Sequence, residues 1–272
     1  MPLPSFRLRS VTAIVFAVLM IGSLVIDPKL FSLVLIAFSI QGYREYSLLI
    51  EKSGYKLNRY AGAIIGTALF TIQLLINIEL LEPRWNVLLL AIAFIFLTIE
   101  LLRNPAKPIE HASLALLAVV WIFLPMSLFA SMATIGYGEL TGTVFVLGFL
   151  AILWVNDSAA YIVGSLIGKT PIYYKVSPGK TWEGALAGII FGIFAAWLFS
   201  ALSNSAFMFW LPLALIIIIT GTLGDLAESL LKRNFKAKDS GSLLPGHGGV
   251  LDRFDSILFS APFVWIYLQI AT

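Results

Sequence analysis

The sequence has no cysteine, only two histidines and few charges: 12% of its 272 residues are Asp, Glu, Lys or Arg. The absence of cysteine excludes disulfides, thiolate metal ligands and a cysteine nucleophile. Scarce charge excludes a disordered chain, which needs low hydrophobicity and high charge. A soluble domain carries about 45–50% apolar and about 25% charged residues. Here 59% of residues are hydrophobic, and the mean hydropathy is +0.93. The apolar residues come in long unbroken runs rather than in alternation, which excludes a β-barrel. The expectation is an all-α, polytopic integral membrane protein.

A spanning helix needs about 20 mostly apolar residues. Nine runs qualify as spans, at about 10–26, 30–48, 60–78, 85–101, 112–133, 141–166, 184–203, 206–231 and 255–271. Residues 184–224 contain no charge, enough for two crossings, with Ser203-Asn204-Ser205 and the following Pro212 marking the turn. Asp27-Pro28-Lys29 leaves only a tight connection between the first two runs, so a re-entrant hairpin is an alternative there. Arg7 and Arg9 precede an apolar run as in a signal peptide. No small-x-small cleavage site follows, so a retained helix is expected.

Cytoplasmic connections accumulate Lys and Arg. With nine spans and a cytoplasmic N-terminus, every Lys and Arg except Lys29 and Arg84 falls on the cytoplasmic side. Residues 1–135 then form a five-span scaffold. Residues 136–272 form a four-span catalytic region with cytoplasmic loops at 167–183 and 232–254. The acids of the first half, Glu45, Glu51, Glu79, Glu82, Glu100 and Glu110, sit at span ends or in connections. They are expected to be solvated.

The second half is chemically different. Asp157 lies twelve residues before Lys169, about 18 Å along a helix, and so near mid-bilayer. An ionised group at that depth needs a partner or a wet cavity. Asp225, Glu228 and Ser229 have i, i+3, i+4 spacing and share a helix face. Two acids on one apolar face repel unless a cation sits between them, although Glu228 could instead pair with Lys232 one turn on. Residues 229–255 bring four cations in seven residues (Lys232, Arg233, Lys236, Lys238), a Pro245-Gly246-His247-Gly248-Gly249 loop, and then Asp252-Arg253-x-Asp255. Such a glycine-rich loop suits phosphate contact or lid motion. Lys180-Thr181, before an apolar helix, could hold a phosphate at the helix start. The glycines of a Walker A loop are missing there.

Hard carboxylate ligands select Mg²⁺, and one histidine in the region is too few for a zinc site. Mg²⁺ with Lys and Arg suits phosphoryl or nucleotidyl transfer. A lipidic second substrate would explain the many spans.

The run Ser229-x-x-Lys232-Arg233-x4-Lys238-Asp239-x5-Pro245-Gly246-His247-Gly248-Gly249-x-x-Asp252-Arg253-x-Asp255 resembles the signature of the phosphatidate cytidylyltransferases, the CDP-diacylglycerol synthases. Two upstream blocks are also similar: Asn156-Asp157-Ser158-x-Ala160-Tyr161-x-x-Gly164 and Ser177-Pro178-x-Lys180-Thr181-Trp182-Glu183-Gly184. Gly179 departs from the pattern, where relatives commonly carry a further Lys. The specific resemblance covers about 154–255.

The resemblance implies that CTP and phosphatidic acid give CDP-diacylglycerol and pyrophosphate with Mg²⁺, in phospholipid synthesis. A second cation such as K⁺ stays open. It also implies an enzyme of the bacterial inner membrane with its active site on the cytoplasmic side. The expected partners are CTP, phosphatidic acid and membrane lipid, with no nucleic acid. Small-residue faces such as Gly184, Ala187, Gly188 and Gly192 could pack within the chain or form a homodimer.

Asp225 and Asp252 rank first as metal ligands, with Asp255 and Asp157 second. Lys232, Arg233, Lys238 and Arg253 would hold the triphosphate and the lipid phosphate. Lys180 would approach from the loop before the seventh span. Asp225, Asp252, Lys232 and Arg253 form the catalytic set. Asp239, Gly248 and Gly249 join the substrate contacts, and the loop 241–249 closes over the nucleotide. His247 either donates to a phosphate or structures that loop. Two rivals share parts of this equipment: an ion-coupled transporter, which has no use for the cation cluster, and a CTP-dependent polyprenol kinase, which would release CDP. A CDP-alcohol phosphotransferase is disfavoured, because its Asp-x-x-Asp-Gly-x-x-Ala-Arg motif is absent.

Overall fold

The computed structural model describes residues 3–103, 106–138, 140–174, 176–241 and 248–271. The described residues form nine long helices: α1 (Leu3–Ile26), α2 (Pro28–Glu51), α3 (Arg59–Asn77), α4 (Val87–Arg103), α5 (Pro108–Thr134), α6 (Gly142–Ile167), α7 (Trp182–Leu202), α8 (Phe207–Asn234) and α9 (Leu251–Ala271). Each contains one of the nine apolar runs to within a few residues. Helices are forced on these runs because a backbone without water must satisfy its own hydrogen bonds.

Among the described residues, six segments are long and apolar enough to cross a membrane: α3, Pro83–Arg103, α5, α6, α7 and α8. The protein is therefore a helical membrane protein. The second half of α2 carries Gln41, Arg44 and Glu45, and α9 opens on Asp252, Arg253 and Asp255, which keeps both out of that set.

The helix ends follow local chemistry. Asp27 alone separates α1 from α2, and its side chain accepts from Lys29 N at 2.7 Å, with Pro28 opening the helix. Both helices have 24 residues, about 36 Å of helix each, and they pack on one another. Asn58, Thr141 and Thr181 cap α3, α6 and α7 in the same way. Pro212 lies inside α8 rather than in the turn before it, and Ser205 supports the turn by accepting from Trp210 Nε1 at 2.8 Å.

Outward faces are apolar and exposed, as at Ile64, Leu90, Phe94, Ile190 and Ile219. The interior is built from aromatics such as Phe31, Phe123, Phe129, Phe149 and Trp210. α5 is enclosed by α2, α3, α4, α6 and α9.

Three expectations are corrected. The 167–183 loop is not plain coil: β1 (Pro171–Tyr173) and β2 (Ser177–Thr181) pair antiparallel as a small hairpin. It is too short to announce itself in the apolar pattern. Glu45 and Glu100 are not solvated; they are 2% and 0% exposed. Glu51, Glu82 and Glu110 do sit at helix ends, paired with Arg59, Arg84 and Lys107.

Candidate active site

The site forms where α6, α7, α8 and α9 meet beneath the hairpin. α6 and α7 cross closely because Gly184 faces Ala160 and Gly164; a side chain at Gly184 would overlap the Ala160 carbonyl. Gly188 and Gly192 likewise face α6 and α8, so this small-residue stripe packs within the chain. The crossing sets the end of β2 against α8. Lys180, the residue before the Thr181 cap, there forms an ion pair with Asp225.

Asp225 and Glu228 on α8 meet Asp255 on α9. One carboxylate oxygen from each lies within 4.8 Å of the others. Ser229 Oγ, on the same α8 face, donates to Asp225 at 3.4 Å. Glu228 is 1% exposed. Lys232 Nζ approaches its Oε2 to 2.6 Å, but without hydrogen-bond alignment, so neither Glu228 oxygen receives a hydrogen bond. Both anticipated relations of Glu228 therefore hold at once: it pairs with Lys232 and faces a second acid.

Asp252 lies one ion pair away. Its Oδ1 is 2.6 Å from Lys232 Nζ. Its Oδ2 accepts from Ser240 N at 3.0 Å, Ser240 Oγ at 3.1 Å and Gly249 N at 2.7 Å. Gly248 supports this turn with φ +82°, a conformation that favours glycine. Gly248 and Gly249 thus shape the loop around Asp252. Ser240 Oγ also lies 3.2 Å from Glu45 Oε2, which accepts from Leu251 N at 3.2 Å. Glu45 comes from α2, in the half expected to be only scaffold.

A cavity of about 400 Å³ opens onto these groups. Five carboxylates line it (Asp157, Asp225, Asp239, Asp252, Asp255) against three cationic groups (Lys180, Lys232, Arg253). Asp157 is exposed to it, with Asn156 Nδ2 donating to its Oδ1 at 2.9 Å. The wet cavity that a mid-helix acid requires is thereby present. Thr181, Thr222 and Ser256 add neutral polar groups.

Two expected phosphate contacts lie elsewhere. Arg233 donates to the carbonyls of Val176 at 3.5 Å and Ala237 at 3.3 Å, tying the hairpin to the end of α8. Lys238 is exposed, and neither residue lines the cavity. His247 and residues 242–246 of the expected closing loop lie outside the described residues. Asp225 and Asp255 were both named from the sequence as metal ligands; Glu228, which joins them here, was noted for its spacing but not counted among the ligands. For Glu45 and Ser240 the sequence carried no signal.

Excess carboxylate around a deep polar cavity suits a divalent cation, which would reverse the local charge and admit a polyphosphate. Comparison with known proteins supplies a family. Residues 7–271 match the model of the cytidylyltransferase family. The phosphatidate cytidylyltransferase of Bacillus subtilis (strain 168) is 40% identical over 131 residues, which cover 47% of this chain and 49% of that protein. Those of Staphylococcus saprophyticus and Staphylococcus aureus (strain COL) are 40% and 39% identical over 147 residues, covering 51% of this chain and 56% of each relative. The chain thus spans about half the length of the curated relatives it matches. With a family match running nearly end to end, over helices, hairpin and acidic cavity alike, the chain belongs to the cytidylyltransferase family.

Proposed function

We propose that the protein transfers CMP from CTP to phosphatidic acid, giving CDP-diacylglycerol and pyrophosphate in phospholipid synthesis. The observation that carries this reading is the convergence of Asp225, Glu228 and Asp255 beside Lys180 and Lys232 in one cavity. The names of the relatives supply the substrates.

Asp225, Glu228 and Asp255 would hold Mg²⁺. The donor set fits: three hard oxygens from two helices, with the Glu228 carboxylate buried and without a hydrogen-bond donor. Bound there, Mg²⁺ neutralises charge on the triphosphate and on the departing pyrophosphate. Asp252 shares Lys232 with Glu228; a triphosphate that recruits Lys232 frees Asp252 Oδ1 to join the ligands. Asp157 lines the same cavity, where a second cation such as K⁺ would also find acceptors.

Lys180 and Lys232 bind the triphosphate, and Arg253 binds the lipid phosphate. A phosphate oxygen of the lipid attacks the α-phosphorus of CTP in line. The new P–O bond forms as the bond to pyrophosphate breaks. A phosphate nucleophile is already anionic at neutral pH, so alignment and charge neutralisation do most of the work.

In the membrane we place nine crossings with a cytoplasmic N-terminus. The cavity then opens toward the cytoplasmic face of a bacterial inner membrane, with α6–α9 carrying the catalytic groups and α1–α5 the scaffold. A homodimer is compatible with this arrangement.

The test is purified protein in lipid nanodiscs with cytosine-labelled CTP, phosphatidic acid and Mg²⁺. Label entering the lipid phase with equimolar pyrophosphate is expected. Label that stays in water, or release of CDP, would overturn the reading.

A further inference from the structure

A second cavity of about 400 Å³ backs onto the first. Asp157, Asp252, Arg253, Asp255 and Ser256 line both, so one wall of side chains separates two chambers. The chambers differ in their outer walls. The first is closed by the hairpin and the start of α7. The second is closed by α1, through Thr12, Ala13, Phe16 and Ala17, and by Trp154 and Ser158 of α6.

The position of α1 decides what can enter. Its outward residues Val11, Ile14, Val15 and Val18 are apolar and 58–64% exposed, a surface suited to lipid. α1 packs along α2 and touches α6 only sparsely, which leaves the cleft open. Phe16 closes one side by packing at a tilt against Phe38 (ring centroids 5.7 Å apart) and edge-on against Phe254 (5.6 Å). The volume lies in the range of small-ligand sites, about 300–1,000 Å³. Arg253 is exposed, makes no ion pair among the described residues, and reaches both chambers.

We propose that the α1-walled chamber is a lateral entry site for the lipid substrate. It takes the phosphomonoester head and glycerol of a phosphatidate-class lipid from the bilayer and presents the phosphate, through Arg253, to a nucleotide in the hairpin-walled chamber. This rests on the proposed function and assigns the two substrates to opposite sides of the Asp252–Ser256 turn. A triphosphate would be poorly solvated against Ala13, Phe16, Ala17 and Trp154.

The test has two arms. Wild-type protein in nanodiscs is photolabelled with a diazirine analogue of phosphatidic acid carrying the probe next to the glycerol. Label is expected in α1 between residues 12 and 17, competed by unlabelled phosphatidic acid and not by phosphatidylcholine. Label spread equally over Ile190 and Phe194 of α7, without competition, overturns the proposal. This arm needs no turnover, so it judges the chamber even if the reaction assay fails. In the second arm, Ala13→Trp fills the chamber and raises KM for phosphatidic acid about tenfold or more while leaving KM for CTP within about twofold. Ala185→Trp, in the other chamber, does the reverse. An Ala13→Trp protein that folds and keeps the wild-type KM for lipid overturns the proposal. If Ala13→Trp does not fold, photolabelling of the wild type decides.

Discussion

Glu45 on α2 and Ser240, 195 residues later, meet inside the protein, with the Ser240 hydroxyl 3.2 Å from Glu45 Oε2. The same oxygen accepts from Leu251 N at 3.2 Å, and Gln41 Nε2 donates to Oε1 at 3.0 Å. Glu45 therefore grips the chain on both sides of the 241–249 loop. Ser240 in turn holds Asp252, so a residue of the first half helps to position an acid of the candidate site in the second.

Removing this grip should loosen the site before it unfolds the protein. Glu45→Ala strands the buried Leu251 N–H, at about 1–3 kcal/mol. A melting temperature lower by several degrees is expected, together with reduced turnover. Glu45→Gln keeps an acceptor oxygen and should lie between Glu45→Ala and wild type. Tryptophan fluorescence melts in detergent and the lipid-label assay read both effects.

Asp225→Asn, Glu228→Gln and Asp255→Asn should each raise the Mg²⁺ concentration needed for half-maximal turnover. The first and third should lower maximal turnover by about 10²-fold or more. Chelation should abolish activity in the wild type, and Mg²⁺ should restore it. Glu82→Gln, at an exposed helix end, serves as the control. An unchanged Mg²⁺ titration for all three variants would remove the metal assignment.

Lys232 sits 2.6 Å from both Glu228 and Asp252, and its side chain is only 12% exposed. Lys232→Met leaves two buried carboxylates without their cation. Breaking a buried pair in this way costs about 3–5 kcal/mol. Poor folding is expected, and adding Glu228→Gln should recover the folded yield but not turnover. Size-exclusion profiles and the lipid-label assay separate the two outcomes.

Arg233 binds backbone carbonyls on the hairpin and at the end of α8 rather than facing the cavity. Arg233→Ala should expose the 171–181 hairpin to proteolysis while changing KM for CTP by less than about tenfold. A larger rise, with the hairpin still protected, would return Arg233 to direct phosphate contact.

Much of the helical layout was readable because the apolar runs are long and several are bounded by a local signal such as Asp27-Pro28, Asn58 or Thr181. Small-residue faces at Gly164 and Gly184 were readable as sites of close approach, but that they meet each other was decided by the packing of α6 on α7. The solvated reading failed at Glu45 and Glu100 because a helix end implies exposure only if nothing folds over it. At Glu45, Ser240 and Leu251 do so. The hairpin escaped notice because two short strands at 171–181 leave no periodicity. Arg233 and Lys232 are adjacent in sequence and indistinguishable there, yet helical geometry turns one toward the acids and the other toward the hairpin.

The sequence by itself determined the solvent this protein folds in, the long helices of the described residues and the carboxylate-and-lysine chemistry it carries, because these follow from local composition and spacing. Only the tertiary structure decided which acids share a site. Asp225 and Glu228 find Asp255 through the packing of α8 on α9, and Asp252 is drawn instead to Lys232 and the Ser240–Gly249 turn. Local spacing places side chains on a face of one helix; their partners depend on how the helices cross, and that is settled by packing along their whole length.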